Sequence, residues 1–301
     1  MLSDEAISNL KRAGEIAKRA VEFARKTVKP GKPLFELADA IEKYIRELGG
    51  EPAFPVNIGI NQVAAHYTPQ LGDYSVVPDN SVVKVDIGVH LDGYIADTAI
   101  TIAFNPVHES LVEAARKALE KALDVVRPGV KASDIGKVIE DTIKSTGFKP
   151  VKNLSGHGID RFNIHSGVVI PNHHDVFCRH KLEEGIYAIE PFATNGIGLV
   201  KELEITTIYS LRRGCRAMPS HVKSFYEAVY GERRELPFTT RWYAHSNEEL
   251  AKIRETLNHL KAAKCLVEYP VLVERGSGLV SQFEHTIVIT GKDVLVITGE
   301  F

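Results

Sequence analysis

Five side chains that can bind a metal ion stand in segments whose remaining residues predict buried structure. The set consists of four carboxylates and one imidazole, at Asp86, Asp97, His157, Glu190 and Glu284. Each lies in an apolar strand or in a glycine-rich turn beside one. Burial of a charge in such surroundings costs several kcal/mol unless a cation or a hydrogen-bonding partner compensates it. We therefore expect the five groups to share one compensator, and a pair of divalent metal ions is the simplest one.

The composition of this set indicates the kind of metal site and its chemistry. Four carboxylates and one imidazole favour Mn, Fe, Co or Zn in five- or six-coordination over a closed structural zinc site. Two such ions about 3.5–4 Å apart, bridged by carboxylates, would lower the pKa of a shared water, polarise a carbonyl and hold a substrate amine. That combination is suited to the hydrolysis of an amide bond.

A predicted β-hairpin places the two aspartates side by side. Its sequence reads SVVKVDIGVHLDGYIADTAITIAF, with an Asp-Gly turn dipeptide at residues 92–93 between two alternating runs. A loop centred there sets Asp86 opposite Ala99 and Asp97 opposite Gly88. The aspartates are then diagonal neighbours on one face, with backbones about 7 Å apart. A cation between them would remove their mutual repulsion. The alternative is that both line a solvated face of the sheet.

The other three candidates lie in the second half of the chain. His157 stands between two glycines in NLSGHGIDRFNIHSG, where the backbone can approach a ligand closely. Glu190 follows an apolar run in IYAIEPF, and strand alternation puts it on the same face as Phe192. Glu284 interrupts the strand-like run of QFEHTIVIT. Taken singly, the histidine could be a turn residue and Glu284 an exposed edge residue, but the five together favour a common site.

An internal repeat indicates which elements would bring these groups together. An alignment without gaps joins VKPGKPLFELADAIEKYI, which starts at Val28, to VRPGVKASDIGKVIEDTI, which starts at Val126, at an offset of 98 residues. Each copy follows one amphipathic helix and opens another, and strand-like sequence comes next. An ordinary helix–helix turn with Pro and Gly is the alternative explanation. The repeat predicts two helix–helix–sheet units that close a pseudo-twofold cleft, with the aspartate hairpin in the first.

One stretch interrupts the second unit. Two helical patterns, HVKSFYEAVYG and SNEELAKIRETLNHLKAAK, lie between the strands of Glu190 and Glu284, and Ser246 with Glu249 forms a capping box ahead of the second. We therefore predict one catalytic domain, residues 1–301, with a helical insertion at residues 210–264. The basic residues in and around this segment are expected to be solvated surface: Arg212, Arg213, Arg216, Arg233, Arg234 and Arg241.

The composition is typical of an ordinary globular enzyme. With 301 residues, 44% of them hydrophobic, the chain can bury a large core, and its net charge of −2 offers no electrostatic argument for a nucleic-acid or membrane partner. The cysteines Cys178, Cys215 and Cys265 are odd in number, far apart and without CxxC spacing. They therefore predict neither a disulfide framework nor a thiolate zinc site, and they favour a reducing, cytoplasmic location. The opening segment lacks the apolar stretch of a signal peptide.

The order of the five groups and the motifs around them resemble the type 2 methionine aminopeptidases. The motifs are VAAHYTP, KVDIGVHLDGYIADTA, NLSGHGIDRFNIHSG, GIYAIEPFA and SQFEHTIVI. The similarity extends from about Phe54 to the C-terminus and includes the helical insertion that separates this class from the shorter type 1 enzymes. It implies an α+β pita-bread fold, in which two pseudo-symmetric α/β halves enclose a curved antiparallel sheet.

The same resemblance assigns a role to each predicted ligand. It makes Asp86 a chelating ligand of one metal ion and makes His157 and Glu190 ligands of the other. Asp97 and Glu284 would bridge the two ions. Glu190 would also move a proton from the attacking water to the leaving amine.

Further site residues are implied by the family motifs alone. His66 matches the histidine that contacts the substrate amide and assists proton transfer, and His165 matches the one that stabilises the tetrahedral intermediate. The apolar pocket for the methionine side chain is expected at Phe54, Ile164, Phe192 and Tyr269, and an unbranched thioether prefers a soft slot of this kind. Some family members add a pocket histidine near the start of the insertion. Here that position offers only Ile208 and Tyr209, and we leave this wall unassigned.

The implied activity is that of a methionyl aminopeptidase. A metal-bridged hydroxide would attack the first peptide bond of nascent proteins and peptides, removing the initiator methionine when the second residue is small. The expected partners are peptides with N-terminal Met and nascent chains, with transient ribosome association; neither a membrane nor a specific nucleic acid is expected, and the protein should be a monomer. The sequence lacks the long charged N-terminal extension of some relatives, which removes one route to the ribosome.

Two other functions are compatible with this kind of fold. Prolidases and aminopeptidases P use the same five ligands, usually after a large N-terminal domain, whereas only about fifty residues precede the sheet here. A non-catalytic pita-bread protein that binds ribosomes or RNA would be expected to have lost ligands. All five are intact in this chain, which favours the aminopeptidase.

Overall fold

The computed structural model describes residues 2–215, 218–291 and 293–299. Its α-helices within these ranges are α1 (Asp4–Thr27), α2 (Leu34–Glu47), α3 (Glu109–Val125), α4 (Ala132–Ser145), α5 (Ser220–Arg233) and α6 (Asn247–Ala262). Its β-strands are β1 (Glu51–Pro52), β2 (Asn57–Ile60), β3 (Val63–Ala65), β4 (Val82–Leu91), β5 (Tyr94–Ala103), β6 (Val130–Lys131), β7 (Lys149–Pro150), β8 (Ser155–Ile159), β9 (Val169–Pro171), β10 (Lys181–Leu182), β11 (Gly185–Ile189), β12 (Phe192–Thr194), β13 (Val200–Leu211), β14 (Leu266–Glu274), β15 (Val280–Gln282), β16 (Glu284–Thr290) and β17 (Asp293–Val296).

The largest sheet is antiparallel and contains strands from both halves of the chain. Its order is β1-β4-β5-β16-β11-β8-β9, with β2 added to β4 and β17 added to β16. Hydrophobic residues of α1 to α4 are buried in one core cluster with those of this sheet. The helices can cover the sheet because their buried residues recur at helical spacing, as Leu10, Ala13, Ala17 and Ala20 do along α1.

The predicted aspartate hairpin forms with the predicted register. Asp86 lies opposite Ala99, and Asp97 lies opposite Gly88. The strands β4 and β5 meet at a turn whose second residue, Gly93, has a φ of +82°. Such a turn suits glycine and allows the two strands to pair without a bulge.

The internal repeat is present in the backbone. Helix α2 begins at Leu34 and ends at Glu47, and α4 begins at Ala132 and ends at Ser145, so both ends are offset by the same 98 residues. Strands β1 and β7 start at the same offset. Gly31 and Gly129 precede these helices with φ angles of +80° and +78°. The two halves therefore share a helix–turn–helix–strand unit, as predicted.

The segment between β13 and β14 contains α5 and α6, as its helical patterns predict. Glu249 N–H donates to Ser246 Oγ at 3.2 Å, and Glu249 Oε2 accepts from His245 N–H at 2.7 Å, so the N-terminus of α6 is capped. The segment has a hydrophobic cluster of its own, which includes Leu211, Val222, Tyr226, Val229, Phe238, Leu250, Ile253, Leu257 and Leu260. The insertion bounds at residues 210–264 stay a prediction, and Arg216 and Ala217 within them lie outside the described residues.

The prediction that the chain forms no disulfide is wrong. Cys215 and Cys265 are bonded, with Cα atoms 5.8 Å apart, and Cys178 is free. The sequence separation of 50 residues concealed this pair. Antiparallel pairing of β13 with β14 brings Leu211 opposite Leu266, so the residues that follow one strand and precede the other meet. Cysteine usage consequently gives no support to a reducing compartment.

The expectation that the basic residues of this segment are solvated is also wrong in part. Arg212, Arg213 and Arg234 are exposed. Arg233 and Arg241, in contrast, are only 2% and 7% exposed. Each donates hydrogen bonds to buried oxygen atoms in distant parts of the chain, and a local charge pattern cannot predict such contacts.

Candidate active site

The predicted ligands project from two adjacent rows on one face of the largest sheet. In the first row, Asp86 of β4 pairs with Ala99 of β5, and Ala99 pairs in turn with Glu284 of β16. Side chains of directly opposed residues in a sheet point to the same face. The two carboxylates of this row therefore flank the small methyl group of Ala99.

The neighbouring row contributes Asp97 and His157. Asp97 N–H donates to Thr286 Oγ1 at 2.7 Å, and the Thr286 hydroxyl donates back to Asp97 O at 2.7 Å. Thr286 pairs with Ala188 of β11, and Ala188 pairs with His157 of β8. Glu190 directly follows the end of β11. Both halves of the chain thus supply groups to one patch of the sheet, as the sequence predicts.

The groups from the two halves lie within the range of a shared cation. One donor atom each of Asp97, His157 and Glu284 lies within 4.8 Å of the others. His157 Nε2 is 3.6 Å from Asp97 Oδ2 and 3.6 Å from Glu190 Oε1. Its Nδ1 is 3.4 Å from Gly158 O, so Nδ1 carries the proton that faces this carbonyl. Nε2 then directs a lone pair at the carboxylates, which is the arrangement of a metal-binding histidine.

Several carboxylate oxygens in this patch are buried without a hydrogen-bond partner among the described residues. They are Asp86 Oδ1, Asp97 Oδ1 and Glu284 Oε1. Gln282 Nε2 donates to Glu284 Oε2 at 3.2 Å and lies 3.4 Å from Glu190 Oε2. One amide cannot neutralise this many acceptors, and unpaired buried carboxylates are costly. The donor set therefore fits divalent cations, as its composition predicts.

The titration behaviour of the patch agrees with a cation site. Burial raises the pKa of Asp86 to about 7. Burial and, next, the neighbouring carboxylates raise the pKa values of Asp97, Glu190 and Glu284 well above the usual range. Burial lowers the pKa of His157 to about 3, so its imidazole is neutral at physiological pH. Burial therefore favours the protonated form of these carboxyls, and a bound cation would favour the ionised form instead.

The two predicted catalytic histidines border the same patch. His66 has a φ of +64°, and its Nδ1 is 3.2 Å from Pro270 O. Because a carbonyl can only accept, Nδ1 carries the proton, and burial lowers the pKa of His66 to about 4. His165 lies 4.4 Å from His157 between ring centroids, and burial lowers its pKa too. Tyr269 packs against both His66 and His165.

The ligand patch forms one side of a cavity that also has apolar walls, and this space is named the apolar cavity after those walls. Its walls include four residues that favour a non-polar side chain, namely Phe54, Ile164, Ile208 and Tyr269. All five predicted ligands and both histidines line the same cavity. Ile208 therefore forms the wall that the sequence left unassigned. Tyr209, its neighbour, instead donates its hydroxyl to Thr206 O at 2.8 Å.

Phe192 lies in a neighbouring cavity rather than among these walls. Its side chain is 1% exposed and packs with Val151, Val200 and Val280. The neighbouring cavity also contains the three histidines and Glu190. The predicted substrate contact of Phe192 stays a prediction.

Several residues that border the site do not stand out in the sequence. Asn57 lines the apolar cavity and pairs directly with Asp86, and the alternation of the short strand β2 could have indicated it. Pro237, which follows α5 in the sequence, also lines the cavity, and no local pattern in the sequence predicts this. Gln282 shares a strand face with Glu284, a pattern visible in the sequence, but its amide contact depends on the fold.

Comparison with known proteins agrees with this geometry. The model of metallopeptidase family M24 matches residues 8–291.

The chain belongs to metallopeptidase family M24.

Its M24 relatives include a protein of Pyrococcus abyssi named methionine aminopeptidase, which is 45% identical over 295 residues, 98% of this chain and 99% of that protein. A methionine aminopeptidase of Methanocaldococcus jannaschii is 41% identical over 294 residues, again 98% of this chain and 99% of that protein. The methionine aminopeptidase family predicted from the sequence motifs is thereby confirmed, and the type 2 class stays a prediction.

Solved structures with little sequence similarity confirm the pita-bread fold of this M24 chain. A thermophilic Arx1 superposes with a TM-score of 0.88 at 16% identity, over 100% of this chain and 92% of that one. Methionine aminopeptidase of Thermotoga maritima gives 0.72 at 22% identity, over 99% and 98%. Prolidase of Pyrococcus furiosus gives 0.64 at 18% identity, over 99% of this chain and 65% of that one.

Within the described part of the chain, none of the helices combines the length and the hydropathy that a membrane span requires.

Proposed function

We propose that this M24 protein is a type 2 methionine aminopeptidase that removes the initiator methionine from nascent proteins and peptides. One observation carries the proposal. Acidic groups and an imidazole from both halves of the chain meet on one sheet face, in a cavity that Phe54, Ile164 and Ile208 also line. The names of relatives that are 37–45% identical over nearly the whole chain support the same function.

The proposed ligand assignment uses the five groups of the patch. Asp86 would hold one ion, His157 and Glu190 would hold the other, and Asp97 and Glu284 would be shared between them. Co, Mn, Fe and Zn are the candidate metals, because each accepts mixed oxygen and nitrogen donors. Bound divalent ions would supply a water of low pKa, a polarised carbonyl and an anchor for the free α-amine.

His66 and Glu190 are proposed to handle the proton transfers. Since Nδ1 of His66 donates to Pro270 O, its Nε2 is free to accept the N–H of the scissile amide. Glu190 borders the ligand patch, with its Oε1 3.6 Å from His157 Nε2, and its carboxylate is proposed to take the proton of the attacking water and release it to the leaving amine. His165, whose ring centroid is 4.4 Å from that of His157, is proposed to stabilise the oxygen of the former carbonyl.

The apolar cavity is proposed to recognise the methionine side chain. Phe54, Ile164, Ile208 and Tyr269 present carbon surfaces to it, and a flexible thioether packs well against such walls. A bulky second residue would collide with the rim, so small second residues should be preferred. Cleavage would be restricted to the first residue, because only a free α-amine can occupy the metal centre.

The remaining parts of the proposal concern context. We propose a single catalytic domain with a helical insertion, acting as a monomer in the cytoplasm on nascent chains, with transient association with the ribosome. A sizing column calibrated for mass would report the oligomeric state, and sedimentation with ribosomes would report the association.

Hydrolysis of short peptides tests the activity. Chelator-stripped protein should release Met from Met-Ala-Ser only after Co, Mn, Fe or Zn is added back, and it should leave the dipeptide Met-Pro almost intact. Efficient cleavage of Met-Pro would favour a prolidase. If none of these metals restores the release of Met, the result would favour a non-catalytic binding protein.

A further inference from the structure

Two buried arginines join the helical segment between β13 and β14 to the wall of the apolar cavity. Arg233 is the last residue of α5, and Arg241 lies in the short 3₁₀ helix Thr240–Trp242. They are 2% and 7% exposed. A buried guanidinium is costly unless hydrogen bonds compensate it. Nε of each arginine has no hydrogen-bond partner among the described residues, so the Nη atoms provide the compensation, and their acceptors show which segments the arginines join.

Arg233 ties together two pieces of the cavity wall. Its Nη2 lies within hydrogen-bond distance of three backbone carbonyls, at 2.8 Å from Pro52 O, 3.0 Å from Ala53 O and 3.0 Å from Pro237 O. Ala53 directly precedes Phe54, and both Phe54 and Pro237 line the cavity. One nitrogen therefore joins wall segments that are far apart in the sequence.

Arg241 acts on the same wall through a buried carboxylate. Its Nη1 donates to Glu42 Oε2 at 2.6 Å and its Nη2 donates to Glu42 Oε1, which makes the pair bidentate. Trp242 Nε1 donates to Glu42 Oε2 at 2.7 Å, and Glu42 Oε1 accepts from Val56 N–H at 2.9 Å. Val56 lies two residues beyond Phe54. The segment that carries Phe54 is thus held on both sides by buried charged groups.

The internal repeat shows what this arrangement adds to the first half. Glu140 stands 98 residues after Glu42, but its Oε1 lies 2.7 Å from Lys144 Nζ and 3.9 Å from Lys152 Nζ, both within the second half. Lys152 in turn stands 98 residues after Phe54. In the first half, residues of the helical segment cover Glu42, which is the equivalent of Glu140. Phe54, the equivalent of Lys152, forms an aromatic wall of the cavity.

We propose that Arg233 is a positioning residue for the methionine pocket, and that Arg241 assists it through Glu42. Together they set the positions of Phe54 and Pro237 and so determine how selectively the pocket accepts the first side chain. This inference rests on the proposed function. Because these contacts involve the pocket wall and not the metal ligands, their loss should weaken substrate binding and leave the chemical step largely intact.

The test replaces the Arg233 guanidinium by an apolar chain of similar length. Arg233→Met should raise KM for Met-Ala-Ser by about tenfold or more and change kcat by less than about threefold. The preference in kcat/KM for Met-Ala-Ser over Leu-Ala-Ser should fall by about tenfold, because pocket fit commonly contributes discrimination of that size. A loss confined to kcat would overturn the proposal.

Two further variants separate positioning from general damage. Arg233→Lys keeps the charge and offers three N–H donors to the three carbonyls, whereas Nη2 of arginine has two, so this variant should retain most of the wild-type KM and selectivity. Arg234→Met makes the same chemical change at the adjacent exposed side chain and should behave like the wild-type protein. Wild-type KM and selectivity in a folded Arg233→Met protein, with folding judged by its melting temperature, would refute the proposal.

If Arg233→Met does not fold, Glu42→Gln tests the same positioning role through the pair of Arg241 and Glu42. This variant weakens the Arg241 pair while an amide oxygen can still accept from Val56 N–H, so KM should rise and selectivity should fall in a protein that keeps its kcat. Unchanged KM and selectivity would overturn the proposal. Absence of metal-dependent Met release by the wild-type protein would instead refute the proposed function, and it would be seen before any variant is compared.

Discussion

The buried position of Glu284 is compatible with a protonated carboxyl and with a carboxylate bound to a cation. Its side chain is 1% exposed, and Oε2 accepts from Gln282 Nε2 at 3.2 Å. Oε1 has no hydrogen-bond partner among the described residues. Because burial and nearby carboxylates raise the pKa of Glu284, the group retains a proton until a cation displaces it. The same carboxyl therefore serves as a neutral acid in the metal-free protein and as a proposed bridging ligand in the active one.

Glu284→Gln separates these two states. The amide preserves shape and neutrality, so the fold should persist, but it cannot bridge two cations as a carboxylate does. We expect kcat/KM for Met-Ala-Ser to fall by about 100-fold or more, while the melting temperature of the metal-free protein stays equal or rises. Glu204→Gln, at an exposed position of β13, is the matched control. Near-normal turnover of the Glu284 variant would remove its bridging role.

At the scale of elements, the strands β13 and β14 connect the helical segment to the candidate active site. They frame the segment with α5 and α6, and they contribute Ile208 and Tyr269, which are directly paired, to the apolar cavity. The disulfide between Cys215 and Cys265 closes the segment just beyond the end of the paired region. The cross-link shortens the loop that must be ordered when this part of the chain folds.

Removal of this disulfide should lower stability more than activity. For a sequence separation of 50 residues, loop-closure entropy predicts a loss of about 4 kcal/mol in the free energy of unfolding for Cys215→Ser combined with Cys265→Ser. Chemical denaturation of the double variant measures it, with Cys178→Ser as the control. Thiol titration of the unfolded wild-type protein without reductant should find one free cysteine, and finding three would show that the bond does not form in solution.

At the scale of the whole molecule, buried titratable groups make stability depend on pH and on metal. The raised pKa values of Asp86, Asp97, Glu190 and Glu284 mean that the metal-free folded state binds more protons than the unfolded state above about pH 4. These carboxyls therefore destabilise the fold as pH rises. Buried histidines with lowered pKa values, such as His157, act in the opposite direction, but only below about pH 6.5.

As the pH rises above 6.5 the histidines become neutral in both states. Burial lowers the pKa of Lys84 to about 7, so this lysine raises stability with pH, because only the unfolded state keeps its proton. The four carboxyls outnumber this one lysine and set the sign of the slope. We expect the melting temperature of chelator-stripped protein to fall between pH 6.5 and 8, and the stabilisation by added divalent metal to grow over the same interval. Differential scanning calorimetry with and without metal measures both. A stabilisation by metal that shrinks with rising pH would contradict a site built from protonated carboxyls.

The parts of this protein that depend on short-range order could be predicted from the sequence. The register of Asp86 and Asp97 followed from a turn dipeptide and strand alternation, and the two related units followed from a repeat with a fixed offset. The ligand set could be proposed because each member is an exception to a local apolar pattern. Such features need only the periodicity of a strand or helix, which neighbouring residues impose.

Other parts arose from contacts that no local pattern encodes. The disulfide, the burial of Arg233 and Arg241, and the cavity wall at Pro237 all join segments that are remote in the sequence. The same arginines would be ordinary surface residues if the segment with α5 and α6 packed elsewhere. Their burial is decided by how that segment lies against the first half, because only there do backbone carbonyls and the Glu42 carboxylate compensate the cost of removing a guanidinium from water.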